Sequence, residues 1–216
     1  MTTACENALV TDSARKQELL EAAYRHVLGT GLADMSLRPL AKEIGSSPRV
    51  LLFLFGSKEG LVRALLTRAR EEELRYLAAL RDEHSGLAAT GLDVWAWLAD
   101  PVHRALLALW VEGYARSLLG EPGPWADFGR DTVKDWLDLL AERQAGERHA
   151  ADGPGAGQAA QPQQAEQLQQ AEQAEAERTL LLAVLRGALL DLLATGDTER
   201  VTRAVERHLR AVGRPG

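Results

Sequence analysis

Cysteine is all but missing from this chain: Cys5 stands alone, so no internal disulfide can form and no thiolate cluster can hold a metal. The opening MTTACENALVTDSARK has no basic start followed by an apolar stretch, so no secretory signal is expected and the chain reads as cytoplasmic. Long apolar runs are scarce too. The longest, Leu180 to Ala194, is interrupted by Arg186 and Asp191 and falls short of a bilayer span. His26, His84, His103, His149 and His208 are scattered without metal-ligand spacing. No G-x-S-x-G, phosphate-binding loop or dinucleotide fingerprint occurs, and an enzyme is not expected. No cofactor and no metal is implied.

A basic excess is likewise absent from the whole, whose net charge is −6. The distribution reverses what that number suggests. Residues 1–70 carry 10 Lys and Arg against 7 Asp and Glu, whereas residues 71–216 carry 15 against 24. Only the N-terminal third could face a polyanion.

What is present is helical. Period-3.6 patterns dominate and period-two alternation is rare, which predicts an all-α protein: a three-helix head plus a larger helical C-terminal domain. Residues 1–12 read as a loose leader, 13–57 as the head, and 58–216 as the larger domain, with a low-complexity insertion at 144–176. Ser13 is the expected cap of a first helix running to about Leu28, whose inner face is Leu19, Leu20, Ala23, Tyr24, Val27 and Leu28.

The stretch SLRPLAKEIGSSPRVLLFLF, Ser36 to Phe55, predicts two short helices and a tight turn. Ser36 would cap the first. Small Ala41 lets the helices approach, Gly45 makes the turn, and Leu51 locks the crossing. Ser47 and Pro48 are a cap and first-position pair for the second helix. In such a helix-turn-helix, Ser47, Pro48, Arg49, Leu52 and Phe53 point outward, where a second helix meets the major groove of DNA. After Phe55, Ser57 would cap a long connector to about Glu83, with Leu61, Leu65, Arg68 and Glu72 turned outward. Lys58 could donate to a phosphate or be an ordinary surface lysine, and the same choice holds for Arg15 and Lys16.

The succession of a first helix, SLRPLAKEIGSSP, a short aromatic-ended helix, SKEGL and a long helix resembles the DNA-binding domain of the TetR family of transcriptional regulators, over about Ser13 to Leu66. That resemblance implies an all-α homodimer with a variable effector domain, usually a repressor released by a small molecule. It implies double-stranded DNA with a pseudo-palindromic operator as partner. Bases would be met by Ser47, Pro48, Arg49, Leu52 and Phe53, and phosphates by Ser36, Arg38 and Lys58. One departure stands out. The family commonly carries Tyr and then His where this chain has Leu52 and Phe53, so a phosphate-binding hydroxyl is missing. These two could touch thymine methyl groups instead, or be buried as packing. The rival function is a dimeric helical small-molecule-binding protein that has lost specific DNA recognition.

Beyond residue 84, Asp100-Pro101 predicts the start of a buried helix, PVHRALLALWVEGYARSLL, and the next helix is expected to carry Trp125, Phe128, Val133, Trp136, Leu137 and Leu140. Trp95, His103, Leu106, Trp110, Tyr114, Trp125, Phe128 and Trp136 are candidates for an apolar or aromatic effector pocket, or for a solid aromatic core. His103, Glu112 and Arg116 could orient a ligand or be satisfied by neighbouring helices. GERHAADGPGAGQ is expected to be a flexible loop, and QQAEQLQQAEQA a solvated extension at the start of the next helix. Two last helices carry surplus apolar surface. Leu181, Val184, Leu185, Leu189, Leu192, Val201, Val205 and Leu209 are the expected homodimer face, with an intramolecular core as the alternative.

Overall fold

A computed structural model of the chain describes residues 2–32, 35–79, 86–120, 123–151 and 164–213. Among them every regular element is helical, as the sequence patterns predicted. The chain divides into two compact units: Met1–Leu74 with Ala105–Arg130, and Arg75–Arg104 with Asp131–Gly216. The division differs from the boundary expected at residue 57.

The first unit holds α1 (Thr2–Thr30), α2 (Leu37–Glu43), α3 (Pro48–Phe55), α4 (Lys58–Ala79) as far as Leu74, and nearly all of α6 (Arg104–Leu118). Leu19, Ala23 and Val27 recur every fourth residue on α1 and are buried. α2 and α3 pack on that face through Leu40, Ala41, Leu51 and Phe55. The start of α4 stays with this head because Leu61, Val62, Leu65, Leu66 and Ala69 are all buried. Leu61 and Leu65 therefore point inward, against expectation, and Arg68 is held by Glu21 of α1 at 2.6 Å and Glu72 at 2.9 Å. α1 also begins at Thr2, well before Ser13. No proline or glycine lies between them to stop a helix.

The second unit holds α5 (Leu87–Ala99), a 3-10 turn (Pro101–His103), most of α7 (Phe128–Ala151), α8 (Gln164–Thr195) and α9 (Thr198–Val212). α5 packs on both α8 and α9. Gly91 of α5 makes this possible: a Cβ there would sit 2.9 Å from a Leu181 methyl and 3.1 Å from one of Leu209. The Trp95 indole N–H donates to Thr202 Oγ1 at 3.0 Å, which satisfies the one polar atom this large side chain carries inward. Asp197 caps α9 by accepting the Arg200 amide at 3.1 Å.

This packing overturns the expected dimer face. Leu181, Leu185, Leu189, Leu192, Val201, Val205 and Leu209 are buried within the single chain and Val184 is half-buried, so they form an intramolecular core. The helices α8 and α9 spend their apolar sides on α5 and on each other. The surplus apolar surface of α8 lies on its opposite side, where Leu180, Ala183, Gly187, Leu190 and Ala194 are exposed.

The insertion is also smaller than expected. α7 continues to Ala151, so Gly146 to Ala151 are helical, while residues 152–158 of the expected loop lie outside those described. The Gln/Glu/Ala-rich stretch from Gln164 is the helical start of α8, as predicted, and from Glu166 to Gln173 it is exposed, while Ala174 is buried. Gln144 is no solvated residue. It is buried, its amide donating to Glu177 at 2.9 Å and accepting from Arg178 at 2.6 Å.

Candidate nucleic-acid interface

The turn between α2 and α3 is built from backbone chemistry. Gly45 adopts φ +64°, a region closed to most side chains, and the Ser46 amide reaches back to the Ala41 carbonyl at 2.7 Å. Ala41 is fully buried, so the two helices approach across a methyl. Ser47 Oγ accepts the Val50 amide at 3.3 Å, capping α3 as expected. Ser36 stands at the corresponding place before α2 but makes no side-chain cap. The third residue of α2 is Pro39, which has no N–H to offer it.

Leu51 and Phe55 anchor α3 inward, while Leu52 is 43% and Phe53 75% exposed. The reading of these two as packing residues is therefore excluded. Arg49, Leu52 and Phe53 stand three and four residues apart and share one face of α3. Arg49 is exposed, as are Ser36, Arg38, Lys42 and Lys58, while Ser47 and Pro48 are half-buried. The side chains of Arg38, Lys42 and Arg49 hold no ion pair among the described residues. Lys42 was not anticipated, although its place on α2 beside Arg38 was the signal. Lys16 is partly committed, its ammonium lying 5.4 Å from the Phe55 ring centre.

Two devices fix the head from below. Ser57 Oγ accepts the Gly60 amide at 3.0 Å, capping α4. Gly60 itself lies against the Phe55 carbonyl so closely that a Cβ has no room. The glycine of SKEGL thus lets α4 start directly under α3. On the far side, Arg68 binds Glu21 and Glu72 and lies 4.7 Å above the Tyr24 ring. Burial, reinforced by the Glu72 charge, pushes the Tyr24 phenol above its ordinary ionisation range.

The expected effector residues are shared between the two units. Leu106, Trp110, Tyr114, Trp125 and Phe128 belong to the first unit, and Trp95, His103 and Trp136 to the second. In the first, Trp110 and Tyr114 stack at 4.9 Å and the Arg116 guanidinium covers Trp125 at 4.8 Å. Trp125 lies in the turn before α7 and not on that helix. The polar candidates have internal partners. Glu112 accepts the Leu32 amide at 2.9 Å, with Arg116 3.5 Å from its other oxygen. His103 Nδ1 lies 2.9 Å from the Trp97 carbonyl oxygen, and its ring packs on Trp97, which stacks in turn on Tyr76 at 4.7 Å. A groove of about 230 Å³ lies elsewhere in the second unit, lined by Leu87, Ala88, Leu180, Leu181, Leu209 and Val212 with Gln144, Glu177 and His208 as polar groups. Sequence reasoning missed it because its walls come from four separate helices.

Among the described residues no helix is long and apolar enough to cross a membrane, and no cluster of three or more His, Cys, Asp or Glu could hold a metal.

No protein-family model matches the chain. Residues of the chain are 29% identical over 76 positions to the HTH-type transcriptional regulator BetI of Stenotrophomonas maltophilia (strain R551-3), a match that covers 33% of this chain and 39% of that protein. The chain thus spans well under half the length of this curated relative. Solved structures agree over nearly the whole fold. One is a protein from Rhodococcus sp. assigned to the TetR family of transcriptional regulators, at TM-score 0.67 and 16% identity, covering 92% of this chain and 98% of that one. Another is the multidrug binding protein EbrR in complex with imidazole, at TM-score 0.60 and 25% identity, covering 90% and 89%.

Proposed function

We propose that this chain, whose fold is that of TetR-type regulators, is a one-component transcriptional regulator that binds duplex DNA as a homodimer in the cytoplasm, acting as a repressor. The observation that carries the reading is the exposed face of α3, Arg49 with Leu52 and Phe53, on a helix held rigid by the Ser47 cap and the buried Leu51 and Phe55. A helix so presented has the size and attitude to enter a major groove. Arg49 would read guanine by a bidentate contact. Ser36, Arg38, Lys42 and Lys58 would meet phosphates and set the register.

The homodimer would form through the exposed stripe of α8, Leu180, Ala183, Gly187, Leu190 and Ala194, whose three- and four-residue spacing suits a helix-to-helix seam. Two heads would then meet successive major grooves, about 34–36 Å apart, on a pseudo-palindromic operator.

An apolar or aromatic effector would act through the cluster of Leu106, Trp110, Tyr114, Trp125 and Phe128. The helix that carries Trp110 and Tyr114 also carries Glu112, which holds the Leu32 amide at the end of α1. A ligand that shifts α6 would therefore disturb the seat of the head. Its preference for the displaced state sets the strength of release, typically about 1–3 kcal/mol for such coupling.

The test is selection of bound duplexes from a random pool, followed by gel shift at rising salt. A recovered pseudo-palindrome whose retention falls steeply with salt supports the regulator. A pool that yields no enriched sequence at low salt leaves the rival, a small-molecule-binding protein without DNA recognition.

A further inference from the structure

We infer that the outward face of α3 reads the C5-methyl group of pyrimidines, so that the operator is recognised through thymine or 5-methylcytosine next to guanine. The inference rests on the proposed DNA-binding function and names what that site recognises.

The helix PRVLLFLF contains a single side chain able to hydrogen-bond a base edge, Arg49. The hydroxyl just before it, Ser47, already accepts the Val50 amide. Everything else α3 offers outward is hydrocarbon: Val50, Leu52 and Phe53 are all exposed, with Phe53 the most. Polar edges in the major groove gain nothing from such a surface. The one apolar feature there is the methyl at C5 of thymine. A cytosine methylated at C5 carries the same methyl at the same place on the groove floor.

The arrangement of the face narrows the step. Leu52 and Phe53 are the helical neighbours of Arg49 at three and four residues, so apolar surface and guanidinium lie side by side. A guanidinium bound to guanine O6 and N7 then has hydrocarbon next to it for the methyl of the adjoining pyrimidine. The fitting steps are TG and C5-methylated CG. The exposed cations Arg38, Lys42 and Lys58 on the flanking helices give this apolar face the charge complement of a polyanion, which an apolar protein partner would not require.

The experiment uses the full chain and its selected operator, read by fluorescence anisotropy. Four duplexes are compared: the operator, the same with uracil for thymine at the half-site positions, one with TG replaced by CG, and that one with a C5 methyl on the cytosine. Each contacted methyl lost should weaken binding about three- to fivefold, the worth of burying one such group. Methylated CG should bind tighter than unmethylated CG by a similar factor. Leu52→Ala and Phe53→Ala should erase both differences, and because both side chains are exposed their helical content should be unchanged.

Equal affinity, within twofold, for the thymine and uracil duplexes would overturn the inference while leaving DNA binding intact. Retention of methyl discrimination by both alanine variants would overturn it too. Failure to bind any duplex would remove the proposed function itself, and this reading with it. Loss of self-association in Phe53→Ala, with DNA affinity unchanged, would make the face a protein-docking surface instead.

Discussion

The Leu32 amide donates to the Glu112 carboxylate at 2.9 Å, so the end of α1 is held by a residue eighty positions away in the chain. Gly31, at φ +78°, stands beside the same carboxylate: a Cβ there would lie 3.4 Å from the Glu112 oxygen. The bond is partly buried, and removing the acceptor orphans the amide. Glu112→Ala should therefore cost about 1–3 kcal/mol, lowering the thermal midpoint by about 2–4 °C for each kcal/mol in a chain of this size. Glu112→Gln keeps an acceptor and should lose less. Calorimetry of the pair decides it: equal losses would mean that only the charge matters.

The exposed stripe of α8 and its buried face should respond differently to substitution. Leu190→Glu, at an exposed position, should leave the melting of the isolated subunit nearly unchanged and convert dimer to monomer in analytical ultracentrifugation. Leu185→Ala, in the core, should instead destabilise the subunit by about 2–5 kcal/mol. A dimer that survives Leu190→Glu and Leu180→Glu together would place the seam elsewhere.

Arg49→Ala and Lys58→Ala should separate base reading from phosphate contact. The first should flatten the preference between selected and scrambled duplexes by about 1–3 kcal/mol. The second should weaken all sequences alike and reduce the salt slope by about one. Competition gel shifts at two or more salt concentrations measure both quantities.

Gly60 has no room for a side chain because the Phe55 carbonyl occupies the place of a Cβ. Gly60→Ala should push α4 away from α3 and cost about 1–3 kcal/mol, although alanine favours helix. Gly187→Ala provides the contrast, since nothing lies within 4 Å of its Cβ position. On the monomeric subunit it should stabilise by about 0.5–1 kcal/mol. Denaturant midpoints of the two variants test the difference.

Tyr24 predicts a loss of stability on the alkaline side. Burial, and then Glu72, hold its phenol protonated beyond the range in which an unfolded tyrosine ionises. Below about pH 10, the ordinary tyrosine value, both states carry the proton and Tyr24 gives no slope. Above it the unfolded chain releases its proton first, so stability falls as pH rises toward the raised folded value. Tyr24→Phe should make the melting curve shallower between about pH 10 and 12.

The all-α class, the helix-turn-helix and its caps were legible in the amino-acid order because they depend on neighbours within a few residues. Gly45, Ser47 and Pro48 dictate a turn and a helix start wherever they occur in that order. Ser36 shows the limit of even this logic, since it makes no side-chain cap and Pro39 three residues on removes one of the two amides such a cap can use. The exposure of Leu52 and Phe53 could not be read from residue type, because hydrocarbon on a short helix fits a core as well as a groove.

Tertiary structure alone decided which face of an apolar helix is spent. α8 carries apolar residues on two sides, and periodicity treats the sides alike. Gly91, distant in sequence, lets α5 close on Leu181 and Leu209, and so leaves Leu180 and Leu190 as the free side. The same holds for Glu112, Arg116 and His103: beside the Glu112–Arg116 pair at four-residue spacing, Glu112 binds the Leu32 amide, Arg116 covers Trp125 and His103 packs on Trp97, contacts that no spacing rule encodes. Local order sets which elements form; the pairing of their surfaces depends on contacts between residues far apart in the chain.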